Sequence, residues 1–86
     1  MNIQYSKAAV KAIKGMDKPT KQRIKKGIEG LVKTPPEGDI KPMQGYSDNV
    51  YRLRIGKYRI IYKITVDTNG DLVYIIDIGS RGDIYK

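Results

Sequence analysis

The stretch that decides this chain is VYRLRIGKYRIIY, Val50 to Tyr62. Residue character alternates on both sides of Gly56-Lys57. Tyr51, Leu53 and Ile55 share one parity and Arg52 and Arg54 the other; beyond the glycine, Tyr58, Ile60 and Tyr62 alternate with Arg59 and Ile61. Period-two alternation about a two-residue centre containing glycine predicts a β-hairpin with a tight turn. With Gly56-Lys57 as the turn, Ile55 pairs with Tyr58, Arg54 with Arg59 and Leu53 with Ile60. Arg54 then faces Arg59 directly, and Arg52 lies two residues along on the same face. Like charges directly opposite each other destabilise a sheet. A pattern that costs stability calls for an anionic partner.

Downstream, Asn69-Gly70 is a strong type I′ turn signal, and Leu72 to Ile78 is almost continuously apolar, as a central strand buried on both faces would be. The register of that strand stays open. A strict two-residue turn puts Asp77 on the side of Tyr62 and the core; a longer turn reverses it. Upstream, Ile3 and Tyr5 alternate with Asn2 and Gln4 as a short first strand. Ser6 is placed to cap a helix reaching about Lys14 and ending at Gly15, with Ala9, Ile13 and Met16 on one face. Asp17-Lys18-Pro19-Thr20 starts a second helix, proline being well suited to a first turn. It runs to about Lys33 with Ile24, Ile28, Leu31 and Val32 as its apolar stripe, and with Lys21, Arg23, Lys25 and Lys26 as a solvated face. Gly27 and Gly30 each weaken a helix by about 1 kcal/mol relative to alanine, which close packing of the two helices would offset. Pro35-Pro36-Glu37-Gly38 stops the helix and opens a loop through about Asn49 that holds Lys41, Met43 and Tyr46. The order is β-α-α-β-β-β. This is an α+β fold, two N-terminal helices packed on one face of a small antiparallel sheet, in a single domain over residues 1–86. The other face would carry Arg52, Arg54, Arg59 and Lys63.

Composition narrows the chemistry. Among 86 residues there is no cysteine and no histidine, which excludes disulfides, thiolates and imidazole catalysis from this chain. Seven tyrosines are its only aromatic residues, so every ring carries a hydroxyl. No apolar run approaches membrane-spanning length and the start lacks a signal-like apolar stretch, so a cytoplasmic protein with no membrane partner is expected. The formal charge of +8 points to a polyanion, either nucleic acid or an acidic protein. Asp77 and Asp83 do not make a catalytic carboxylate pair, and no metal site or cofactor motif is visible.

The motif YRLRIGKYRIIY at 51–62, the strand VYIIDIGSR at 73–81 and the late Tyr85 resemble the RelE/ParE superfamily of bacterial type II toxins, and more closely the RelE-like mRNA interferases. The resemblance spans nearly the whole chain. It implies a RelE-like domain and a ribosome-dependent endoribonuclease that cuts mRNA in the A site, without metal or cofactor, by attack of a ribose 2′-hydroxyl on the adjacent phosphate. It also implies a cognate antitoxin, and mRNA, ribosome and ribosomal RNA as partners. Carried over by position, Arg59 corresponds to the arginine that holds the scissile phosphate. Arg81 corresponds to the arginine that stabilises charge and protonates the leaving oxygen, and Tyr85 to the tyrosine that orients the nucleotides. Arg52 and Arg54 stand where a RelE pattern has lysines; with Lys57 and Lys63 they complete the expected substrate-binding set, and Arg54 joins the catalytic one. The departure matters, because an arginine stays charged at ordinary pH and cannot serve as a base. Proton removal then falls to Tyr85, solvent or ribosomal RNA. Two other functions fit the scaffold: a ParE-like inhibitor of DNA gyrase, and a catalytically inactive antitoxin-binding module.

Overall fold

A computed structural model describes residues 2–33, 35–43, 45, 49–68 and 70–80. In chain order they form β1 (Asn2–Tyr5), α1 (Lys7–Lys14) and α2 (Lys18–Glu29), which a 3-10 turn over Gly30–Val32 extends. Then come β2 (Asp39–Pro42), β3 (Val50–Ile55), β4 (Tyr58–Asp67) and β5 (Gly70–Ser80). The helix starts are chemical. Ser6 accepts a bond from the Ala9 N–H at 3.0 Å and Asp17 accepts one from the Thr20 N–H at 3.1 Å, so each helix has a side-chain oxygen on its first free donors. The Thr20 bond also holds the Asp17 carboxyl below its usual range. Gly56 takes φ +57°, the left-handed conformation that a primed hairpin turn requires at its first central position.

The sheet runs β1-β5-β4-β3-β2. Two expectations are corrected. The sheet is mixed: β1 lies parallel to β5, with Tyr5 beside Ile75, while the other neighbours are antiparallel. A first strand that leads straight into helices has no hairpin mate, and it docks on the open edge of the last strand. The supposed loop before the hairpin also contains a strand. Asp39–Pro42 pairs with β3, and Pro42, which has no N–H to give, is tolerated because this strand is an edge.

The core lies between the helices and one sheet face. Ala9 of α1, Ile24 and Ile28 of α2 and Leu31 of the 3-10 turn meet Leu53, Ile60, Tyr62, Val73, Ile75 and Ile78, all buried. Gly27 serves a different contact from the one its sequence setting implied. A methyl group there would collide with Ile55 Cδ1, so the glycine brings α2 down onto β3 rather than onto α1. Gly30 likewise faces Glu37.

One irregularity sets the far face. Near the β4–β5 turn Tyr62 pairs with Ile75, but one step on Ile61 pairs with Asp77, leaving Ile76 as an extra residue in β5. Had the first register continued, Asp77 would lie opposite Ile60 in the core. The bulge turns it outward, as bulges do when they re-aim a side chain. Ser6 supports this kink, its Oγ donating to the Ile76 carbonyl at 2.6 Å and its N–H to the Ile75 carbonyl at 2.9 Å.

Candidate nucleic-acid interface

The sheet face turned away from the helices carries the charges. Its rows follow from the ladder registers. Asp39, Arg54, Arg59 and Gly79 cross the sheet in one row; Lys41, Arg52, Ile61 and Asp77 form the next; Val50, Lys63, Tyr74 and Gln4 form a third. The Arg54–Arg59 pairing expected from the hairpin is present, and Arg52 and Lys63 share the face. Lys57 sits apart, at the hairpin tip, with its ammonium 5.5 Å from the centre of the Tyr58 ring, which packs toward the helices. Arg81 and Tyr85 lie outside the described residues, as does Tyr46.

This face has an apolar floor beneath its charges. Val50, Ile61 and Leu72 are buried although they point away from the helical core. Arg52, the direct partner of Ile61, is largely enclosed and reaches Asp39 Oδ1 at 3.7 Å. Asp39 is half exposed, so the pair contributes at most about 1 kcal/mol and serves chiefly to hold the guanidinium in place. Lys63 lies 5.9 Å from the centre of the partly exposed Tyr74 ring. The face thus combines three guanidiniums, the ammoniums of Lys41 and Lys63 and an aromatic surface, the elements that track a phosphate backbone and stack its bases. Gly79, directly across from Arg59, adds no side chain to that row.

Buried Tyr62 and half-buried Tyr51 and Tyr5 belong to the opposite side. Tyr62 stacks on Tyr51 at 5.7 Å, and burial, then the charge of Tyr51, pushes its phenol up to about 12. Burial and then Glu29 raise that of Tyr5. A second surface lies along the helices, a groove of about 320 Å³ lined by Tyr5, Val10, Ile13, Lys14, Lys21 and Lys25. Arg23, read as solvated, is exposed but lays its guanidinium over the Gly56 turn. Among the described residues no acidic cluster could hold a metal ion, and no helix is long and apolar enough to cross a membrane.

Fold and surface together define a small basic α+β protein with one helix-covered sheet face and one cationic open face. The model of the ParE toxin of type II toxin–antitoxin systems matches residues 3–85. RelE1 of Methanocaldococcus jannaschii is 34% identical over 88 residues, covering 99% of this chain and 94% of that protein. The archaeal RelE–RelB complex from Pyrococcus horikoshii contains a chain 28% identical, with TM-score 0.72 and coverage of 95% and 96%. The RelB–RelE antitoxin–toxin complex from Methanococcus jannaschii has one 30% identical, with TM-score 0.72 and coverage of 95% and 94%. The chain belongs to the RelE/ParE family of type II toxins.

Proposed function

We propose that this toxin is a RelE-like endoribonuclease that cuts mRNA in the ribosomal A site and so halts translation in the cytoplasm. The observation that carries the reading is the open face itself, where Arg54 and Arg59 stand directly opposed with Arg52 beside them. Three guanidiniums gathered on one sheet face suit a polyanion, whose phosphates they can contact together. Arg59 would hold the scissile phosphate and Arg54 would share its developing charge, with Arg81 protonating the leaving oxygen and Tyr85 orienting the nucleotides. Arg52 and Lys63 would bind the flanking backbone, with Lys57 at the hairpin tip. Preorganised charge of this kind is the largest single contribution in many enzymes. The attacking group belongs to the RNA, so the reaction needs no cofactor.

An antitoxin would restrain the activity. Solved relatives are complexes of RelE with RelB, and a lysine-rimmed groove with an apolar floor suits an acidic amphipathic segment. The matching of a ParE model keeps DNA gyrase as the rival target. The test is induction in a bacterial host with mRNA 5′ ends mapped on translated and untranslated copies of one message. Codon-phased cuts on the translated copy alone, abolished by Arg59→Ala and Arg81→Ala, are expected. Growth arrest with intact mRNA, or with inhibited supercoiling, would overturn the reading.

A further inference from the structure

The arginine face poses a chemical problem. Attack by a ribose 2′-hydroxyl requires that its proton go somewhere, and guanidinium cannot take it. The bulge in β5 supplies an acceptor that an unbroken register would have buried. Asp77 emerges on the arginine face, next to Ile61 and two residues from Gly79, which pairs with Arg59. Asp77 is therefore the diagonal neighbour of Arg59, at a separation of roughly 7–8 Å for such a position. Gly79, across from Arg59, adds no side chain of its own beside the pair. Side chains rising from two such positions can reach a phosphate and the ribose next to it. The carboxylate is also fixed, because its Oδ1 accepts the Ile78 N–H at 2.8 Å. Among the described residues the other carboxylate in these rows, Asp39, sits at the sheet edge and is engaged by Arg52.

We propose that Asp77 is a catalytic residue, the base that accepts the 2′-hydroxyl proton. The assignment rests on the ribonuclease reading and deepens it. As the proton passes to Asp77, the 2′-oxygen bonds to the neighbouring phosphorus and the bond from phosphorus to the 5′-oxygen breaks. The 5′-oxygen takes a proton from water, and Asp77 gives its own to the hydroxide left behind, so both are restored. The products are a 2′,3′-cyclic phosphate and a 5′-hydroxyl end.

The experiment pairs two measurements on Asp77→Asn, which keeps the shape and the acceptor for Ile78. One is single-turnover cleavage of a message on ribosomes; the other is binding of a single-stranded RNA oligonucleotide. Cleavage should fall by roughly 100- to 10,000-fold, while RNA binding holds or tightens, since a negative charge leaves a cationic face. Asp77→Glu should retain part of the rate. Cleavage within about fivefold of the unaltered protein, or a matching loss of cleavage and binding, would overturn the assignment. Failure of the unaltered protein to cut a translated message would overturn the ribonuclease reading itself, and the base with it.

Discussion

Replacing Ser6 with alanine removes two bonds, one that caps α1 and one that ties its start to the kinked strand. The first is the cap, Ala9 N–H to Oγ at 3.0 Å, whose loss costs about 1 kcal/mol. The second is the 2.6 Å bond from Oγ to the Ile76 carbonyl, which belongs to the residue left over by the bulge. Leaving a partly buried acceptor without its donor costs about 1–2 kcal/mol. The sum, about 2–3 kcal/mol, is a large share of the stability of a domain this size. It should lower the thermal midpoint by roughly 8–24 °C, at about 4–8 °C per kcal/mol. The assay is urea and thermal unfolding followed by far-ultraviolet circular dichroism. Ser6→Asp separates the two contributions, because a carboxylate can cap the helix but cannot donate to a carbonyl. It should recover the first and forfeit the second. A Ser6→Ala loss below about 0.5 kcal/mol would refute the view that Ser6 locks the bulge.

Other outcomes follow from single contacts. Gly38 has φ +127° and a methyl there would meet Leu53 Cδ1 at 2.6 Å; Gly38→Ala should destabilise by about 2–3 kcal/mol in urea titrations. Gly27→Ala should also destabilise despite better helix propensity, and adding Ile55→Val, which deletes the colliding Cδ1, should restore much of the loss in a double-mutant cycle. With its phenol raised to about 12, Tyr62 holds its proton more tightly folded than unfolded. Its contribution is complete below about pH 10 and fades toward pH 12, by on the order of 2 kcal/mol, and Tyr62→Phe should remove that part of the alkaline loss measured by urea midpoints. Arg54→Thr should stabilise by about 0.2–1 kcal/mol at low salt by ending its opposition to Arg59, while weakening RNA binding in the same preparation.

The hairpin was legible because alternation around Gly56-Lys57 is a local signal, and it yielded the Arg54–Arg59 pairing residue for residue. Helix starts were legible for the same reason, since Ser6 and Asp17 act within one turn. What escaped depends on distant partners. Nothing in Asn2–Tyr5 states its polarity relative to Leu72–Ile75, because polarity follows from where the helices return the chain. Asp39–Pro42 is too short, and too marked by proline, to read as a strand until β3 offers it an edge. The bulge hides in an apolar run, where one extra isoleucine leaves no trace in the pattern. Asp77 accordingly looked like a core anomaly or a surface residue, depending on an assumed turn. The Asn69-Gly70 reading falls one residue late, since Gly70 already pairs with Asp67, and the face that Asp77 takes is decided six or more residues from that turn.

The place of β5, between β1 and β4, also fixes the order in which the molecule can be made. Its residues touch β4, β1 and α1, yet among the described elements it is the last to leave a ribosome. The helices and the β3–β4 hairpin can form early from local contacts, whereas β1 must wait for a mate some seventy residues away. Contacts so far apart in sequence slow folding and leave apolar surface uncovered in the interval. Until β5 arrives, the arginines have no completed sheet to stand on. A nascent chain therefore carries the charges of the toxin before it carries their geometry.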